Sequence, residues 1–328
     1  MIFLISIDWA PPRTRWRPFL FLSGGSMISP KTRFMKQGQL HGYFFVLPAL
    51  VFMLFFIGYP ILYNIILSLH HVDVMTLAQK TKEFVGLKNY QDVFQGSMIY
   101  LTLKNTFLYT VGSMFFQFTI GFALALLFNQ SFRLSKPIRG LLVVSWMVPM
   151  TVTSLMFKFM FSASEGVIDE ILRALHLIDK SVGWLIHADT AMWSLIIANS
   201  WVGIPFNMIL LTTGLSNIPQ EIYDSASIDG ANTVQRFIHV TLPLLRPAIL
   251  SVLVLGFIYT FKVFDLVFVL TGGGPVNSTE VLSTYAYRQA FSEFNFSMGA
   301  TVANVLFVCL FLVGLSYLKT IRQDETID

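Results

Sequence analysis

The chain has 328 residues, of which 55% are hydrophobic and only 12% are charged. A soluble chain of this length would carry about 25% charged residues, so the deficit, with a mean hydropathy of +0.66, points to a polytopic membrane protein. The formal net charge of +4 fits a positive-inside bias and does not call for nucleic acid, while the single cysteine, Cys309, excludes an intrachain disulfide and a cysteine-rich metal site.

Residues 1–42 read as a cytoplasmic tail. Their opening MIFLISI is too short to span, and the basic residues Arg13, Arg15, Arg17, Lys31, Arg33 and Lys36 follow it. A signal peptide would carry its charge first. The first 26 residues are expected to precede a true start at Met27 or Met35, which N-terminal sequencing checks. Six apolar runs are then long enough to cross a hydrocarbon core of about 30 Å. They lie near Tyr43–Leu69, Asn105–Phe128, Ile138–Phe161, Ala191–Leu215, Ala248–Leu270 and Met298–Leu318. Pro48 and Pro60 interrupt the first, Pro149 the third and Pro205 the fourth, as membrane helices tolerate where neighbours satisfy the freed carbonyls. The expected fold is an all-α bundle of six transmembrane helices over residues 43–320, with a cytoplasmic C-terminal tail at 321–328.

Lys and Arg in the short loops set the orientation. With both termini inside, the N-terminal tail, Arg133, Lys136, Arg139, Arg236, Arg246, Lys319 and Arg322 give thirteen inner basic residues. Lys80, Lys82, Lys88, Lys104, Arg173, Lys180 and Arg288 give seven outer ones. The loop Ser162–Asp189, mildly acidic and expected to hold a short helix around Asp169–His176, then faces outward.

Residues Asn217–Pro247, reading NIPQEIYDSASIDGANTVQRFIHVTLPLLRP, form a polar island between apolar runs. Asn217 is expected to cap a first helix, with Pro219 in its first turn and Gln220 at the capping-box position. Asp229-Gly230 is a turn signal, with Gly230 suited to a left-handed C′ position. A second helix is expected from about Thr233 towards Leu242, broken or bent by Pro243 and Pro247. At these residues the chain resembles the cytoplasmic EAA loop of permease subunits of ATP-binding-cassette importers. That pattern is Glu-Ala-Ala, three residues, Gly, nine residues, Ile, one residue, Leu-Pro. Asp224, Ser225 and Ala226 take the first places, Gly230 the glycine, and Val240, Leu242 and Pro243 the end. The departures, Asp for Glu, Ser for Ala and Val for Ile, are conservative in size or charge.

Other stretches resemble the carbohydrate branch of these permeases. They are FVLPALVFMLFFIGYP at 45–60 with Ser68-Leu69, FVGLKNY at Phe84–Tyr90, Asn105-Thr106, and FKVFDLVFVLTGGGP at Phe261–Pro275. The last is similar to the first permease subunit of maltose and glycerol-phosphate importers. The resemblance, over about residues 43–320, implies a type I importer permease in a bacterial inner membrane. It implies a second homologous permease, an ATPase dimer carrying the ATP and Mg, and a periplasmic or lipid-anchored binding protein that delivers a sugar. This chain would hold no cofactor and catalyse no reaction itself. The coupling residues it implies are Glu221, Asp224, Ser225, Ala226, Asp229, Gly230, Leu242 and Pro243.

Glycine-rich TGGGP at Thr271–Pro275 lacks the Gly-Lys-Ser/Thr ending of a phosphate loop. It reads either as a tight turn leaving the bilayer or as a contact for a docked binding protein. Lys262 and Asp265 share a face at i, i+3 late in the fifth run, as a snorkelling pair or as lining of an outer vestibule. Lys158 reads as a snorkelling cation. Gln117, Asn199, Asn207 and Asn304, with Tyr109 and Tyr259 as stacking rings, are candidates for sugar hydroxyls or for interhelical glue; Asn207 is the preferred one. His70-His71 point apart in a helix, against a shared metal. No nucleophile–base constellation is visible. The rival reading is an ion- or proton-coupled carrier, which would work through intramembrane charges such as Lys262 and Asp265.

Overall fold

The computed structural model describes residues 44–79, 81–130 and 132–325, the last six by backbone alone. The N-terminal tail, Lys80, the Arg322 side chain and residues 326–328 lie outside the described residues, and with them the expectations placed there. Two compact units meet at Tyr59 and Pro60. The described part of the first, 44–59, is the opening of α1 (Phe44–Ser68), a helix of hydropathy 2.4. It contains a π-turn at Leu54–Gly58, and Phe52, Phe55, Phe56 and Tyr59 contact one another in series along it.

The second unit holds the rest. Four further helices are long and apolar enough to span: α3 (Ser97–Asn129), α7 (Ala188–Ser216), α9 (Thr233–Phe261) and α12 (Phe296–Glu325, apolar through Lys319). A sixth span is a bent pair, α4 (Ser135–Met147) and α5 (Met150–Met160), meeting at 97°. Pro149 causes that break: it is the extended residue before α5, with ψ 137°, and it has no N–H to continue the ladder. Pro205, by contrast, is absorbed inside α7. The spans thus fall where the apolar runs place them, with one exception given below. A two-stranded antiparallel pair, β1 (His70–His71) with β2 (Glu83–Phe84), interrupts the otherwise helical chain. The short helices are α2 (Lys88–Gln95), α6 (Val167–Ala174), α8 (Gln220–Ile228), α10 (Asp265–Leu270) and α11 (Leu282–Tyr287), the last running on into a π-turn at Arg288–Ser292.

The α3–α7 pair is the spine of this unit. One stripe of α3 is buried, through Thr102, Asn105, Tyr109, Gln117, Gly121 and Ala125. Small residues let the two backbones approach, as they must in lipid, where packing rather than water drives association. A Cβ on Gly121 would lie 2.6 Å from the Asn207 Cβ, and one on Gly203 would collide with the Gln117 amide. A second polar joint ties the end of α1 to α12. Asn304 donates to Ser68 Oγ (3.0 Å) and Tyr90 Oη (3.1 Å) and accepts from Asn64 (2.7 Å).

Candidate functional site

Three regions carry the polar chemistry. The first is a cavity of about 260 Å³ between α3, α4, α5, α7 and α9. Gln117 and Asn199 form its polar wall, and Trp146, Phe206 and Tyr259 its aromatic one. The rings touch in sequence, Trp146 to Phe206 at 5.9 Å and Phe206 edge-on to Tyr259 at 5.9 Å. Gln117 donates to the Asn199 carbonyl at 3.1 Å. The Asn199 Nδ2 is buried and has no hydrogen-bond partner, an expense of roughly 1–3 kcal/mol unless something accepts from it. Gly256, whose Cβ position is open, leaves room on α9.

Of the polar candidates read from sequence, Gln117, Asn199 and Tyr259 converge here. Asn207 does not line this cavity: its amide is turned back to the Gly203 carbonyl at 2.8 Å. Asn304 belongs to the α1–α12 joint, and Tyr109 is fully buried in an apolar cluster with Phe157 and Leu195. Lys262 and Asp265 do not share a helix. The fifth span ends at Phe261, earlier than the apolar run predicts; Lys262 is its cap and Asp265 opens α10. The chain breaks because Phe261, Val263, Leu266 and Val267 all turn into the core, and the Val263 carbonyl is taken by the Ser283 hydroxyl. Both charged residues are exposed and make no ion pair with each other. The Lys262 ammonium lies over the Tyr259 ring, 5.2 Å from its centre. Lys158 donates to the Val269 carbonyl at 3.2 Å, tying α5 to α10.

The second region is the polar segment 217–247. Asn217 does not cap α8; it closes α7 instead, and Pro219 stands at the α8 N-cap without a side-chain bond. Helix α8 ends in a Schellman turn: Ala231 N–H donates to the Ala226 carbonyl (2.9 Å) and Gly230 N–H to that of Ser227 (3.1 Å). Gly230 has φ +80°, as its place in the turn demands, and open space around its Cβ position. The next helix starts on a reciprocal capping box, Asn232 with Gln235, a pattern the sequence carries as Asn-x-x-Gln. Pro243 and Pro247 do not break this helix. A π-turn at Phe237–Thr241, with Leu242 N–H bonded to the Phe237 carbonyl, widens the turn ahead of Pro243 and takes up its ring, so α9 runs from Thr233 to Phe261. Glu221, Asp224, Ser225 and Asp229 are exposed, as are Ile228 (87%) and Val234 (64%).

The third region is the glycine-rich loop after α10. Gly272 and Gly273 have positive φ (+61° and +89°), followed by a cis Gly274–Pro275 bond. Glu280 is buried and paired with Arg288 (3.2 Å), which also donates to Asn277 Oδ1 (3.0 Å). Burial pushes the Glu280 carboxyl above its ordinary value of 4.5, and Arg288 pulls it part of the way back. From α3, Asn105 donates to the carbonyls of Asn277 (3.1 Å) and Glu280 (3.0 Å), and Thr106 accepts from Leu282 N–H (2.9 Å). Asn105-Thr106 is thereby a clamp on the loop.

The family described as "Binding-protein-dependent transport system inner membrane component" matches residues 117–322, a stretch that holds the cavity, the polar segment and the loop. The chain belongs to this family. The permease is 32% identical over 281 residues to the trehalose/maltose transport system permease protein MalF of Thermococcus litoralis, covering 86% of this chain and 93% of that one. It is 29% identical over 295 residues to the sulfoquinovosyl glycerol transport system permease protein SmoG of Agrobacterium fabrum, covering 90% and 94%. In fold it resembles the crystal structure of a bacterial ABC transporter involved in the import of the acidic polysaccharide alginate, at TM-score 0.73 and 22% identity over 90% of this chain and 99% of that one. It is a multi-pass permease component of a binding-protein-dependent ABC importer. An ion- or proton-coupled carrier finds no support, and the separation of Lys262 from Asp265 removes the helix-borne charge pair it would have used.

Proposed function

We propose that this permease lines one side of a sugar pathway, with an oligosaccharide as cargo, and that the Gln117–Asn199–Tyr259 cavity is its sugar contact. The observation that carries this is the buried, unpartnered Asn199 amide beside three aromatic walls. A sugar hydroxyl supplies the missing acceptor, and a pyranose face covers a ring. The relatives named for trehalose/maltose and sulfoquinovosyl glycerol support the substrate class. Asn207 keeps only an indirect part, holding α3 against α7 beside the cavity. Lys262 and Asp265 stand as separate exposed charges outside it, Lys262 next to its Tyr259 wall.

The segment 217–247 is the coupling element. It meets one subunit of an ATPase dimer that carries the ATP and Mg, on the cytoplasmic face of a bacterial inner membrane with both termini inside. Ile228 and Val234 offer exposed apolar contact, Glu221, Asp224 and Asp229 face a basic groove, and Ser225 and Ala226 keep the helix surface low. Gly230 sets the bend, and Leu242 and Pro243 pass motion into α9. A second, homologous permease completes the pathway, and a periplasmic or lipid-anchored binding protein delivers cargo at the opposite face.

The test of the cavity is Asn199→Leu, nearly isosteric and free of the unpartnered amide. In vesicles holding the full importer, KM for the transported oligosaccharide should rise about ten-fold, the worth of one hydrogen bond of roughly 1.4 kcal/mol, while the melting temperature holds or rises. An unchanged KM overturns the assignment.

A further inference from the structure

A cleft of about 420 Å³ opens where α4 begins and α7 ends, on the membrane face from which the polar segment emerges. Lys136, Arg139 and Gly140 line it from α4, and Ile209, Thr213 and Ser216 from α7. Lys136 and Arg139 are one turn apart and point the same way. Arg133 lies just ahead of them, and among the described residues none of the three has a carboxylate partner. No Asp or Glu lines the cleft. The hydroxyls cannot serve an anion as donors, because Thr213 and Ser216 spend their hydrogens on the carbonyls of Ile209 (3.0 Å) and Thr212 (2.8 Å). Recognition in the cleft therefore falls to the two cations.

Two further features define the ligand. Gly140 sits inside a helix where a Cβ would meet nothing within 4 Å. Packing does not require a glycine there; its lack of a side chain keeps the cleft floor open. Val143, half-buried, lines the cleft one turn on from Arg139 and Gly140, and Met147, 74% exposed, continues the same stripe of α4 beyond it. The cleft is basic at its mouth and apolar below, and both walls are membrane-spanning helices. A soluble anion would have no use for the apolar stripe, and a purely apolar partner none for the unpaired cations. We infer that this cleft holds an anionic phospholipid, its phosphate between Lys136 and Arg139 and an acyl chain along Val143 and Met147.

The experiment is to purify the tagged chain in mild detergent from native membranes, with whatever subunits accompany it, and to count retained lipids per chain by mass spectrometry. Wild type is compared with K136Q/R139Q and with G140L, which fills the cleft without altering charge. Both variants should lose retained phosphatidylglycerol and cardiolipin at least three-fold, with phosphatidylethanolamine unchanged and the melting temperature near wild type. Millimolar inorganic phosphate should not displace the lipid. Equal retention in G140L overturns the inference, because a diffuse charge effect would spare that variant. Loss of a protein subunit from K136Q/R139Q with anionic lipid unchanged also overturns it, and reassigns the basic pair to a protein contact.

Discussion

The glycine-rich loop after α10 and the polar segment 217–247 are alike in sequence and opposite in construction. Each is a polar stretch between apolar runs, and each turns on a glycine at positive φ. The loop is locked in place. Asn105, Thr106 and Arg288 hold its backbone and its buried Glu280, and a Cβ on Gly273 would run into the Glu280 carboxylate. The segment is held lightly, by Phe237 against Phe122 of α3 and by Tyr223 against Thr241. Its helix α8 buries no residue, its Gly230 has empty space beside it, and its apolar Ile228 faces outward. The same residue type thus has two uses: Gly273 is required by its neighbours, Gly230 only by its own backbone. A surface left that bare is what the proposed contact with an ATPase requires.

Gly273→Ala tests this contrast with the largest effect. It combines a left-handed non-glycine with displacement of a buried ion pair, and should lower stability by about 3–5 kcal/mol, seen as a collapse of the melting transition in detergent. Arg288→Met comes next, at about 3 kcal/mol, the low end for a broken buried pair, because the Arg288 side chain keeps 32% of its exposure. The pH dependence has a definite sign. The folded Glu280 value lies above 4.5, so its contribution is full below 4.5 and is lost as pH rises through the folded value. Glu280→Gln should flatten that limb of the stability curve. Gly230→Leu should cost only about 1–2 kcal/mol locally, leaving insertion intact while transport is uncoupled from ATP hydrolysis; normal uptake would remove the coupling role proposed for the segment. Smallest for folding is Asp224→Lys, within about 0.5 kcal/mol, yet it should weaken retention of the ATPase. If Gly230→Leu unfolds the chain as Gly273→Ala does, the contrast between the two regions is gone.

Much of this was legible in the sequence, because hydropathy sees a bilayer span directly. The apolar runs locate the spans, and the spacing from Asp224 to Pro243 marks the polar segment. Pro149 announces the break in the third span. What stayed hidden depends on tertiary partners. In the apolar run ending at Leu270, Lys262 and Asp265 mark the place where the helix stops at Phe261, but they read equally as a pair on one continuing helix, because the buried Phe261, Val263, Leu266 and Val267 keep the run apolar on both sides. Asn217 reads as an N-cap, but the last turn of α7 claims its N–H. The Glu280–Arg288 pair joins residues at the two ends of α11, one of them in the loop before it, which the helix period does not link. Trp146 and Phe206 look like any lipid-facing aromatics until α4 and α7 bring them to Gln117 and Asn199, and Asn207 differs from Asn199 only in which way α7 turns it.

The most direct test of the central claim is affinity purification of the tagged chain from native membranes, beside a variant carrying Ile228→Glu. Wild type should bring down a second six-span permease and an ATPase, identified by mass. The Ile228→Glu chain should keep the permease and lose the ATPase, since the change touches only an exposed side chain of α8. Recovery of the wild-type chain alone, or of the ATPase equally with both chains, would contradict the account.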